Sequence, residues 1–238
     1  AHGNGVLDVT SRANVQIRGV SEVDFPTLLS ALIELDLVEA DAEREAQRRL
    51  TVTPFWDTGD LSTRLGLALE KIILPDLPDK MGVILDTGPS RLLQDTPGDF
   101  RFETSASGAL ILRADGAARG REIDAAQAGS ALGEVAASYV ERGGAASKRM
   151  AQHLKRVSLP KAWQTTPPAQ SASKPEPGDA IGGQLLGVPF GQCDAGALRA
   201  LLTDSSAAIS PAVWHHRCVG RCMFRAVPKG ARAGRLLM

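Results

Sequence analysis

The groups best suited to hold a ligand in this 238-residue chain are cations near its start. In VLDVTSRANVQIRGV, residues 6–20, Arg12 and Arg18 stand on one side of a period-two pattern with Asn14 and Gln16 between them. A guanidinium stays charged at any working pH and pairs with carboxylates through two hydrogen bonds. On an extended strand rising ~3.3 Å per residue, the two arginines lie about 20 Å apart. A row of that length can hold a ligand with several anionic groups, or it can face water or pair with the acidic 39–45 segment. Two more cationic positions follow, Arg48–Arg49 ahead of LTVTP and Lys80 in LPDKMG. Each alone is an ordinary solvated charge at an element boundary. With the first strand they would line a basic cleft, but periodicity does not show that they converge. Further along, Cys218 and Cys222 have C-x3-C spacing beside His215 and His216, and such thiolates and imidazoles suit zinc or iron.

The elements that must position these groups follow from periodicity. Residues 6–20 alternate, with Leu7, Val9, Val15 and Ile17 on one side and the polar residues on the other, as in a half-buried strand. Phe25, Leu28, Leu29, Leu32 and Ile33 recur at helical spacing, with Pro26 suited to a first turn. EADAEREAQRR is a solvated charged segment. RLTVTPFW reads as a second strand and DLSTRLGLALEKII as a second amphipathic helix. Alternating strands interleaved with helices predict an α+β fold built on a one-sided sheet. Then MGVILD reads as a buried strand, and FRFET and ALILRA, joined by SASG, as a hairpin. IDAAQAGSALGEVAASYVERGG is an Ala-rich helix ended by Gly143 and Gly144, and ASKRMAQHLKRV is another helix. Residues 160–178 hold five prolines among serines and polar residues, a linker by composition. A helix follows around Ala195–Leu202. From Ser205 onward there is no Asp or Glu but six Lys or Arg, and no sustained period.

Bulk properties narrow the classes. Formal charge is zero, so nothing global favours nucleic acid or an acidic membrane surface. No apolar run reaches the length of a transmembrane helix. Three cysteines do not make a disulfide framework. The expected setting is the cytoplasm, with no nucleic-acid or membrane partner. A chain opening on Ala, straight into a strand, leads to the expectation that its beginning is missing.

Several stretches carry a resemblance. VTSRANVQIRGV is similar to the T-[ST]-R-x-[ND]-[LV]-Q-[LI]-R strand that opens a ferredoxin-like half domain in the nitrite and sulfite reductase family. QRRLTVTP resembles that family's R-N-V-x-x-[ST]-P strand, and LPDKMGVILD resembles the L-P-x-K-F opening of its iron–sulfur domain. LLGVPFGQCDAGALRALL looks like the start of the second half domain, so the likeness spans roughly residues 3–209. It implies a ferredoxin-like half domain over 1–75 and the start of the α/β iron–sulfur (sirohaem-type) domain over 78–157. A Pro/Ser-rich linker over 158–180 and an incomplete second half domain over 181–209 would follow. Residues 210–238 would be an aberrant, poorly ordered basic tail of the kind a frameshift produces.

The resemblance also assigns roles. Arg12, Arg48 and Lys80 would be the catalytic cations, and Asn14, Gln16 and Arg18 would contact a tetrapyrrole rich in carboxylates. Arg49 stands where the family often has Asn, and Gly82 where the reductases carry a second lysine. That loss fits the family's oxygen-dependent cobalamin branch, which hydroxylates a precorrin macrocycle and closes a lactone, better than nitrite or sulfite reduction. The intact family enzyme would use a 4Fe–4S cluster, an iron–tetrapyrrole centre and an electron donor that the sequence does not identify. Its cluster cysteines fall in a C-x5-C and a later C-x3-C pair. The flanks of Cys218 and Cys222 differ from that site and two ligands are lacking, so no metal ligands are assigned. The expectation is a chain that retains neither cofactor and is inactive alone. A fragment of a sirohaem reductase and a non-catalytic tetrapyrrole-binding module are the alternatives.

Overall fold

The structure, a computed structural model, describes residues 2–10, 14–35, 37–56, 59–173, 176, 178–180, 183–204, 207–212 and 221–228. For 178–186 and from 201 onward only the backbone course is described. The chain divides into two compact units, Ala1–Glu45 with Lys174–Met238, and Ala46–Ser173.

In the first unit, β1 (Val6–Val9) and β2 (Val15–Ile17) form an antiparallel hairpin. This corrects the reading of residues 6–20 as one extended strand. Leu7 faces Ile17, Asp8 faces Gln16 and Val9 faces Val15. Paired residues differ by even numbers, so the odd positions keep one side after the chain turns back. The polar face is therefore two short rows side by side, not one row of about 20 Å. The N–H of Thr10 donates to the carbonyl of Asn14 at 2.8 Å, and the Asn14 N–H donates to Thr10 Oγ1 at 3.2 Å. α1 (Phe25–Glu34) starts with Pro26 in its first turn, and the Ser21 hydroxyl bonds Asp24 just ahead of it. α2 (Ala42–Ala46) falls in the acidic stretch.

The second unit holds a five-stranded sheet. Its strands are β3 (Leu50–Val52), β4 (Val83–Asp86), β5 (Phe100–Thr104), β6 (Leu110–Ala114) and β7 (Arg121–Glu122), in that order. The first three are parallel and the last two antiparallel. α3 (Leu61–Leu69) crosses from β3 to β4, so β3 and α3, which the resemblance assigns to a half domain over 1–75, belong to this second unit instead. Asp60 caps α3, its carboxylate accepting from the Thr63 N–H at 2.8 Å. α4 (Ala128–Glu141) buries Ala128, Ala131, Leu132, Val135, Ala136 and Tyr139, one face at helical spacing, and packs on β6 and α3. Its small residues allow close approach. A Cβ on Gly129 would stand 2.7 Å from Ile72 Cδ1. Gly143, at φ +76°, lets the chain turn out of α4, and α5 (Met150–His153) follows.

Register gives the sheet two unlike faces. Val83, Leu85, Phe100, Phe102, Leu112 and Ala114 share one side and are buried. Ile84, Asp86, Arg101, Glu103, Ile111 and Arg113 share the other, also buried although four carry charge. The 158–173 stretch, a linker by composition, is held in place here. Its backbone exchanges hydrogen bonds with Gly120, Thr104 and Arg91 through Thr166, Ala169 and Ala172.

The chain then returns to the first unit. β8 (Gly178–Ala180), β9 (Gly183–Pro189), β10 (Gln192–Asp194), α6 (Ala195–Asp204), β11 (Ala207–Ala212) and β12 (Arg221–Pro228) follow in order. β10 pairs antiparallel with β1, Val6 against Asp194, and completes a β10-β1-β2 sheet. β11, β12, β9 and β8 form a second, antiparallel sheet. Residues 221–228 are thus a paired strand where the sequence leads one to expect a disordered tail. Residues 213–220, with His215, His216 and Cys218, lie outside the described residues.

Candidate functional site

The sequence-derived cations fall on both units. Arg12 lies outside the described residues. Asn14 and Gln16 are exposed on the hairpin. Arg18 is next to Asp8 on the same face, its Nε donating to Asp8 Oδ2 at 2.6 Å. The Arg18 side chain is 52% exposed and that of Asp8 only 16%. The pair is explained by the register: Asp8 faces Gln16, and Arg18 is the next residue along on that side. Part of the positive charge expected for a ligand is therefore neutralised within the hairpin. The other carboxylate oxygen, Asp8 Oδ1, is buried and accepts no hydrogen bond among the described residues.

Arg48 and Lys80 are related through the second unit's sheet. They precede β3 and β4, and the parallel register Leu50 against Val83 puts both at the same end of neighbouring strands. Arg48 is half-buried and Lys80 exposed. The loop that carries Lys80 is fixed from both sides. The Met81 N–H donates to the Pro78 carbonyl at 2.9 Å, closing a turn over residues 78–81, and Leu77 and Met81 are buried beneath it. Arg49 donates from Nη1 to the Pro78 carbonyl at 2.7 Å and from Nη2 to the Leu77 carbonyl at 3.3 Å. On the far side, the Gly82 N–H donates to Asp99 Oδ2 at 3.1 Å. Asp99 is itself held by Arg149 Nε at 3.0 Å and by the Met150 N–H at 2.8 Å. Such an arrangement fixes the backbone that carries Lys80, which lowers the ordering cost of binding a carboxylate or an oxyanion there.

A buried charge network on the sheet was not anticipated from the sequence. Glu103 accepts two bonds from Arg113, Nε to Oε2 and Nη2 to Oε1, both 2.6 Å. Arg101 donates to Asp115 at 2.7 Å and to the Leu93 and Thr96 carbonyls. Asp86, in register with Glu103, accepts the Leu92 and Leu93 N–H groups through Oδ2 at 2.8 and 2.7 Å, while Oδ1 is buried without a hydrogen bond. Burial first, and then the Glu103 charge, push the Asp86 carboxyl up to about 6, against the two backbone N–H groups and Arg101. The signal was present: FRFET and LILRA place Arg101, Glu103 and Arg113 at alternate positions within strands that are otherwise largely apolar. Tyr139 and His153 pack edge to face at 5.0 Å, and burial moves the phenol up and the imidazole down.

Metal chemistry finds little support in the donor set. Among the described residues no three His, Cys, Asp or Glu side chains gather as ligands. Cys193, on β10, is half-buried, and burial together with Asp194 and Asp8 pushes its thiol up, away from the thiolate a metal takes. The sequence has three cysteines, fewer than the four ligands of a 4Fe–4S cluster, so this chain does not fit that group by itself. No helix among the described residues is long and apolar enough to cross a membrane.

Comparison with known proteins agrees with this geometry at the N-terminus. Residues 1–35 match the family model of the nitrite/sulfite reductase ferredoxin-like half domain. That span contains the whole β1–β2 hairpin and α1. A precorrin-3B synthase from Sinorhizobium sp. is 28% identical over 105 residues, 42% of this chain. The chain covers only 23% of that relative's length. Both likenesses give an oxidoreductase-family relationship. The chain is thus similar to a nitrite/sulfite reductase ferredoxin-like half domain over residues 1–35 and is, over part of its length, precorrin-3B synthase-like.

Proposed function

We propose that the chain is the tetrapyrrole-binding part of a cytoplasmic oxidoreductase of cobalamin biosynthesis, acting on precorrin-3A to give precorrin-3B. In that reaction dioxygen hydroxylates the macrocycle and a lactone closes, with a reductant supplied by an electron donor. The observation that carries the reading is the corner at the start of β3 and β4, where parallel register sets Arg48 and Lys80 at the same end of neighbouring strands. Fixed cations there offer a carboxylate or oxyanion a preorganised partner. Arg48 and Lys80 would act on the substrate from the second unit, and the family roles of Arg12, Asn14, Gln16 and Arg18 would fall to the first unit by itself. A non-catalytic tetrapyrrole-binding module is the second reading, favoured by the three-cysteine count.

Uroporphyrin, an octacarboxylate, is the test ligand. Absorbance titration of the wild-type chain should show uptake that Arg48→Ala and Lys80→Ala each weaken. Uptake unaltered by both variants would refute the corner as a binding site. Incubation with precorrin-3A, dioxygen and a reductant separates the readings: turnover by the purified chain rules out the binding module.

A further inference from the structure

The residue that departs from the family pattern beside Arg48 has its own task. Arg49 is half-buried and holds the Lys80 loop with both its side chain and its main chain. Its guanidinium donates to the carbonyls of Pro78 and Leu77 at 2.7 and 3.3 Å, and reaches that of Met81 at 3.5 Å. Its own carbonyl accepts the Val83 N–H at 2.7 Å. Pro78 thereby receives two donors on one carbonyl, Arg49 Nη1 and the Met81 N–H. These contacts bracket Lys80 on both sides. Only a planar, five-donor fork can reach several carbonyls at once from one position. A lysine presents a point charge on a flexible stem, and an asparagine is too short to span from β3 to residues 77–81.

Building on the function proposed above, we propose that Arg49 is a positioning residue. By gripping the 77–81 backbone it fixes where Lys80 stands at the strand end that also carries Arg48, so that the two cations meet one anionic group of the ligand together. Arg49 does not itself touch ligand, since its guanidinium donors are directed into the loop carbonyls. Its contribution is the order it imposes on Lys80.

The test uses the full chain, uroporphyrin as probe, and Arg49→Ala, Arg49→Lys and Lys80→Ala. Amide hydrogen exchange is the readout of positioning. Arg49→Ala and Arg49→Lys should accelerate exchange at Met81, Gly82 and Val83 while residues 100–104 and 110–114 stay protected. Uptake should fall about tenfold in Arg49→Ala, as in Lys80→Ala, and the double variant should lose little more, because residues acting as one unit are not additive. Arg49→Lys keeps the charge and should not rescue uptake, which separates gripping the loop from simple electrostatics. Unchanged exchange at 81–83 overturns the proposal, and so does a double variant whose loss is the product of the single losses. If Arg49→Ala does not fold, Arg49→Lys decides by the same exchange readout. Should Lys80→Ala leave uptake intact, the function proposed for the corner falls, and exchange at 81–83 still decides whether Arg49 fixes the loop.

Discussion

Asp86→Asn should make this protein more stable at neutral pH, although Asp86 is 1% exposed and hydrogen-bonded. Its carboxyl is raised from the ordinary 3.8 to about 6, chiefly by burial. The folded state therefore holds the proton more tightly than the unfolded chain does. Stability from this group is fully present below pH 3.8 and is lost as pH rises to 6. The two values are roughly two pH units apart, so ionisation costs about 3 kcal/mol at pH 7, to order of magnitude. An asparagine removes that cost. Its oxygen can take the place of Oδ2, which accepts from Leu92 and Leu93. Its amide replaces Oδ1, which accepts no hydrogen bond. Leaving that amide unsatisfied would return about 1–3 kcal/mol. The net gain at pH 7 is then about 0–2 kcal/mol. Urea unfolding followed by circular dichroism from pH 4 to pH 8 measures the effect. The variant should gain on the wild type above pH 6 and lose that lead towards pH 4. A variant weaker by the same amount at every pH, or one whose lead grows on acidification, would refute the reasoning.

Two further outcomes follow from the charge pairs. Glu103→Gln should cost about 3–5 kcal/mol by thermal or urea unfolding, because it strips a buried Arg113 of its carboxylate, and the double change Glu103→Leu with Arg113→Met should recover much of the loss. Asp8→Asn should leave stability within about 1 kcal/mol, as for exposed pairs, yet tighten uroporphyrin uptake by freeing Arg18; unchanged titration curves would show that Arg18 does not meet the ligand.

Local pattern carried much of the fold. FRFET and ALILRA pair as a hairpin around SASG, and α1, α3, α4 and α6 fall where their apolar spacing put them. The reversal between β1 and β2 is not legible in the sequence because no Gly or Pro separates the two strands and because even-numbered pairing preserves alternation from one to the other. The seating of 158–173 was hidden for another reason. Its composition is that of a loop, and the hydrogen bonds that fix it come from Gly120, Thr104 and Arg91, distant in sequence. Arg48 and Lys80 stand far apart in sequence, and their place at one end of the sheet depends on a parallel register set across the whole β3–α3–β4 crossover. No local period encodes it. The role of Arg49 was hidden in the same way, since its carbonyl partners lie on another segment.

The β1–β10 pairing also orders events in time. Val6 is synthesised long before its partner Asp194, which comes after the whole of Ala46–Ser173. The five strands of that inserted unit find their partners among themselves, so it can condense while the chain is still emerging from the ribosome. Meanwhile the β1–β2 hairpin waits with one edge unpaired, and closing it later carries the entropy of a long loop. An unpaired strand edge is a template for wrong partners. The terminal unit is therefore the last to form and the one most exposed to misassembly during synthesis.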